Sequence, residues 1–101
     1  MLVYNVTVNI DNDCAAEWLQ WMISKHIPDV LNTGCFTENK IFRVMADEDS
    51  GGKTYSVQYY CRSMDDFMVY EKDFAPKLRE EHTARYKDKF VAFRTMLEVI
   101  Q

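Results

Sequence analysis

The apolar residues of this chain change period along its length. The order reads strand, helix, strand, strand, helix, strand, and it occupies all 101 residues. A chain of this size supports one hydrophobic core, so the order predicts a single domain over residues 1–101. In the first strand, residues 2–10, Tyr4, Val6, Val8 and Ile10 share one face, while Val3, Asn5, Thr7 and Asn9 share the other. One apolar face and one mixed face is the pattern of a sheet covered on one side.

Asp11-Asn12-Asp13 offers cap oxygens for a helix whose inward stripe is Ala15, Trp18, Leu19, Met22 and His26, with Trp21 and Lys25 beside it. Pro28 suits the start of a further short turn, and Gly34 a left-handed closure. Strands are predicted over residues 35–45 and 54–62, joined by a turn containing Gly51-Gly52. Ser63 is placed to cap a second helix, and Pro76 predicts a break near residues 73–76 before a further piece to about residue 86. The last strand, residues 90–100, sets Val91, Phe93, Thr95, Leu97 and Val99 against Ala92, Arg94, Met96, Glu98 and Ile100.

Two split β-α-β units in series make an α+β, ferredoxin-like sandwich: a four-stranded antiparallel sheet with both helices on one face. The other face is expected to carry Asn5, Thr7, Ser56, Gln58, Tyr60 and Arg94, together with Val3 and Met96. That mixture is too apolar for solvent and too polar for a domain core. A twofold dimer through the sheet face would cover it.

Composition narrows the function classes. The net charge is −4 and the nearest basic cluster, Arg85, Lys87 and Lys89, is interrupted by Asp88, so a nucleic-acid partner is not expected. No apolar run approaches the roughly 18–20 residues that span a bilayer. The opening residues lack a basic segment followed by an apolar one, so no signal peptide and a cytoplasmic setting are expected. Cys14, Cys35 and Cys61 are widely spaced, which fits neither a disulfide framework nor a zinc ribbon; small apolar residues in a reducing cytosol is the plainer reading. Six Phe, six Tyr and two Trp exceed what a small core needs, so some rings should line a pocket or an interface.

Candidate chemistry rests on few residues. His26 and His82 are the only histidines, and either can move protons near neutral pH. The structural alternatives are a carbonyl cap for His26 and a solvated surface position for His82. Trp18, Trp21, Tyr59 and Phe93, with His82, are candidates to wall a ligand pocket between the first helix and the sheet, or simply to pack. Arg43, Arg62 and Arg94 could clamp a carboxylate or phosphate, or pair with Glu38 or Glu98. Asp47 to Gly52 is acidic, but a calcium loop from Asp47 would place Gln58 at its twelfth position, so it reads as a hairpin turn. No metal-ligand spacing is present, and Cys14 or Cys35 as a nucleophile would need an adjacent base.

Four segments carry a family resemblance: Tyr4-Asn5-Val6-Thr7-Val8-Asn9-Ile10; Glu17-Trp18-Leu19 with Trp21-Met22 and His26-Ile27-Pro28; Thr54-Tyr55-Ser56-Val57-Gln58-Tyr59; and Lys89-Phe90-Val91-Ala92-Phe93-Arg94-Thr95. Together they resemble DUF4286, a group of short bacterial proteins without an assigned activity. The resemblance implies the fold and a bacterial cytoplasm. More distantly, the layout is similar to the dimeric α/β-barrel group, which holds cofactor-free monooxygenases, haem-degrading enzymes, isomerases and ligand binders. Haem degraders of that group use an Asn on the first strand and a Trp and a His on the second helix. Asn5, Trp18 or Trp21, and His82 match this loosely, but both tryptophans lie on the first helix, so no cofactor is expected.

Two readings follow. The first is a homodimer that binds a small molecule, or serves an interaction role, without catalysis. The second is a cofactor-free oxygenase or isomerase in which His26 is the acid/base and Asn5 or Arg94 orients the substrate. The second requires His26 to face a cavity ringed by Trp18 and aromatic strand residues. A partner-protein role would instead leave an apolar patch exposed.

Overall fold

The computed structural model describes residues 1–45 and 51–101. Strand β1 (Leu2–Asp11) leads to helix α1 (Ala15–Trp21), a π-helical turn (Met22–His26) and helix α2 (Ile27–Leu31). Strands β2 (Glu38–Arg43) and β3 (Gly52–Cys61) follow, then α3 (Met64–Asp73), α4 (Ala75–Arg85) and β4 (Phe90–Glu98). The sheet order is β2-β3-β1-β4, every pair antiparallel, which is the ferredoxin-like α+β arrangement. Among the described residues, no helix is long and apolar enough to cross a membrane.

Local chemistry explains the helix boundaries. The Ser63 hydroxyl accepts from the amide of Asp66 at 3.2 Å, and Asp65 and Asp66 place negative charge at the amide end of α3. Pro76 lies in the first turn of α4, where its missing N–H costs little, and the chain breaks at Phe74. Gly34 closes the segment after α2 at φ +80°. The start of α1 differs from the expectation. Cys14 is the flanking residue and no side chain caps the helix, so Asp11 and Asp13 contribute proximity of charge rather than a cap bond, and Asn12 contributes neither. Strand β2 is shorter than predicted because residues 35 and 36 turn inward: Cys35 and Phe36 are both buried. Residues 46–50, with most of the acidic turn, lie outside the described residues, while Gly51 adopts φ +83°.

The core lies between the sheet and the helices. Trp18 and Ile10 are fully buried, and Tyr4, Val8, Val57, Tyr59 and Tyr70 join them. Burying each large apolar side chain contributes about 1.5–3 kcal/mol. Tyr4 sits at the centre of a ring cluster, 5.0 Å from Phe67 and 5.9 Å from Tyr70 between centroids.

The register decides which side chains meet. Arg94 lies opposite Val6 and Met96 opposite Tyr4, so both belong to the helix-covered face. Their expected place on the open face is corrected. Phe93 lies opposite Thr7, on the open face, and is 63% exposed, so it does not wall the helix-side pocket. Both alternate sets of β4 carry apolar residues, and periodicity alone therefore leaves its orientation undecided.

Candidate functional site

Between the helix layer and the sheet lies a cavity of about 50 Å³. The strands supply an apolar floor, including Val6, Val8, Val57 and Ala92, because these residues follow the period of two on adjacent strands. The polar groups come from three sources. His26 ends the π-helical turn, Arg79, His82 and Thr83 form one face of α4, and Tyr4, Tyr59, Tyr70 and Arg94 complete the wall. Exposed Arg94 and Thr83 stand at its rim.

His82 is buried, not solvated at the surface. Trp18 Nε1 donates to His82 Nε2 at 2.9 Å. A neutral imidazole that accepts at Nε2 carries its proton on Nδ1. Burial pushes the His82 pKa down to about 4, and the positive charge of His26 and Arg94 adds to the effect. The indole N–H works in the same direction, because a protonated ring would set two donors against each other.

His26 lines the same cavity, with its ring centroid 5.7 Å from that of His82. Its Nδ1 is shut away without a hydrogen-bond partner. The side chain does not cap a carbonyl. Burial pushes its pKa below the ordinary range, opposed by Glu81 and Asp29 and assisted by Lys25. Trp21 stacks on the ring at 5.1 Å and 28°. A π-helical turn brings residues five apart together. In an α-helix the same two positions would diverge by about 140°.

The far end holds a phenol between two guanidiniums. Arg79 Nη2 donates to Tyr4 Oη at 2.8 Å and Arg94 Nε donates to it at 3.0 Å. Arg79 is also paired with Glu71 at 2.5 Å. Arg94 therefore bonds the Tyr4 hydroxyl rather than Glu98.

The structure brings His26, His82, Tyr59 and Arg94 together on this cavity. Trp18 does not touch the cavity; it holds His82 from behind. Trp21 covers His26 from the side. Asn5 is on the opposite face, where its amide donates to Thr7 and its carbonyl accepts from Ser56, so it cannot orient a ligand beside His26. For the same reason Asn5 and His82 cannot surround one haem, and the residues do not fit that group. Arg43 and Arg62 are exposed and away from the cavity. Burial and Asp13 push the Cys14 thiol up, away from a reactive thiolate. Among the described residues no group of three or more His, Cys, Asp or Glu is arranged to hold a metal ion. Arg79 and Tyr70 also line the cavity and were not among the candidate residues of the sequence. A signal was present for the first: Arg79, His82 and Thr83 recur at helical spacing on one face of α4.

A helix-covered sheet with a polar-lined cavity beneath its helices defines a ferredoxin-like protein with an internal site. The chain belongs to the family described as Domain of unknown function (DUF4286), whose pattern matches residues 1–100. No curated protein matches the chain. Solved structures share its fold at low identity. A dimeric ferredoxin-like protein from an uncultured marine organism is 13% identical with a TM-score of 0.69, covering 100% of this chain and 96% of its own. SnoaB, a cofactor-independent oxygenase from Streptomyces nogalater, is 12% identical at 0.67, covering 99% and 94%. A hydroxynitrile lyase from Passiflora edulis is 14% identical at 0.63, covering 99% and 95%. At these identities the likeness establishes the fold alone.

Proposed function

We propose that this protein is a homodimer that binds a small molecule in the cavity under its helices and moves a proton on it through His26. The carrying observation is the pairing of a cavity with two neutral imidazoles, one of which keeps a ring nitrogen without a partner. A buried polar atom left unpaired costs about 1–3 kcal/mol. Its retention beside a cavity favours a functional role over packing. His26 is a better base than His82, because Trp18 already occupies the His82 lone pair. The reaction class is proton transfer at a small substrate, and the reading uses side chains without a cofactor.

Two fold neighbours, described as a cofactor-independent oxygenase and a hydroxynitrile lyase, support small-molecule chemistry on this scaffold by analogy only. The dimer is supported by the open sheet face, where Phe42, Val91, Phe93 and Leu97 remain exposed, and by the neighbour described as dimeric. A reducing compartment is supported by three free cysteines. The reading is tested by screening small organic acids, ketones and amides against the His26 and His82 ring signals in NMR. A saturable shift at both rings supports it. Binding that leaves both rings untouched sinks it.

A further inference from the structure

The cavity is unbalanced in charge and in hydrogen bonding. Among the described residues, no aspartate or glutamate lines it. Arg79 is offset by Glu71, but Arg94 has no carboxylate within ion-pair distance among the described residues. Arg94 uses one of its five N–H groups on Tyr4, and the fork is otherwise uncommitted. Tyr4 Oη already accepts twice, so its own proton is directed elsewhere as a donor. Tyr59 and Tyr70 are 2% and 3% exposed, line the cavity, and make no hydroxyl hydrogen bond among the described residues. Burial holds both phenols in the neutral, donating form. Among the described residues, donors therefore exceed acceptors, and one positive charge is unmatched.

We propose that Arg94, Arg79 and the tyrosine hydroxyls form an anion-binding end of the cavity, and that its ligand is a short-chain carboxylate. This rests on the reading that the cavity binds a ligand. A carboxylate supplies two planar acceptors that match a guanidinium fork. Phosphate fits less well: a dianion facing one unmatched cation over an apolar floor loses more hydration than it recovers. The size sets the chain length. A cavity of about 50 Å³ is about a third of the roughly 150 Å³ that accepts benzene, so the body of the ligand is a few carbons. His26 then faces the carbon end of a molecule whose acid end is held by Arg94.

The test is titration of the whole chain with propionate, propionamide and inorganic phosphate, read by NMR at His26 and His82 and by calorimetry. Wild type should bind propionate at least tenfold more tightly than propionamide. Arg94→Gln should abolish the preference, so that propionate binds no more tightly than propionamide does. Because Arg94 is exposed, this variant should keep the wild-type melting midpoint. Tyr4→Phe, with both guanidiniums kept, should weaken propionate less than Arg94→Gln does. Equal binding of propionate and propionamide overturns the anion end while sparing the ligand cavity. Phosphate binding as tight as propionate overturns the carboxylate assignment. Failure of both propionate and propionamide to move either histidine overturns the cavity reading as well.

Discussion

The Trp18 indole donates to His82 Nε2 across 64 positions of sequence, at 2.9 Å and out of solvent. This bond joins α1 to α4 and fixes the tautomer of an imidazole on the cavity wall. It needs a neutral ring. Trp18→Phe keeps an aromatic ring of smaller volume and removes the donor, leaving His82 Nε2 an unpaired buried acceptor beside a small void. The expected cost is about 1–3 kcal/mol in urea unfolding. The His82 pKa, read by NMR, should rise from about 4. An unchanged pKa would show that burial alone keeps the ring neutral.

Stability should fall with pH in a defined window. The folded pKa of His82 is about 4, while its unfolded value is near 6.5. Between those values the unfolded chain binds the extra proton, so acid favours unfolding. The stabilising contribution is complete above pH 6.5 and is lost as pH falls to about 4. Its size is on the order of 3 kcal/mol. His26 is shifted in the same direction and adds to the slope. Urea midpoints at pH 7.5 and 4.5 should therefore differ strongly in wild type and less in His82→Gln. Equal pH slopes would remove His82 as the source.

The π-helical turn should be what aims His26. Ser24 is an exposed residue within it, its hydroxyl bonded to the Gln20 carbonyl at 2.7 Å. Inserting an alanine after Ser24 would set His26 six residues from Trp21, about 120° away around a regular helix, separating the two rings. Circular dichroism should retain the helical content, and His26 should titrate closer to 6.5. If His26 keeps its lowered pKa after the insertion, the spacing set by the turn is not the positioning device.

The open sheet face should be a contact between two copies. Val91 and Phe93 are 70% and 63% exposed beside a polar network of Asn5, Thr7 and Ser56. Light scattering of wild type should give twice the 12.0 kDa chain mass. Phe93→Glu places a charge at the centre of the apolar strip and should give the single-chain mass with an unchanged fold. A wild-type monomer at micromolar concentration would sink the dimer.

The outlines of the fold were legible in the chain itself. The period of two on β1 and β3, the cap at Ser63 and the break before Pro76 are local signals, each set by the geometry of one turn or one strand. The order of these elements leaves few ways to cover a single sheet. The site was less legible because its members come from distant segments. His26 and His82 stood out as the only histidines, but nothing in their spacing says that Trp18 holds one while Trp21 stacks on the other. The π-helical turn left no sign in the pattern, since it adds one residue to a helical stripe without changing its composition. Because β4 is apolar on both sides, its periodicity alone lets Arg94 and Phe93 exchange faces. Only its pairing with β1 settles that choice, and a shift of one residue would reverse it. Local propensity thus determined the elements. The tertiary structure decided the cavity, because which side chains share it depends on register and on helix rotation, and both are fixed by packing against the rest of the core.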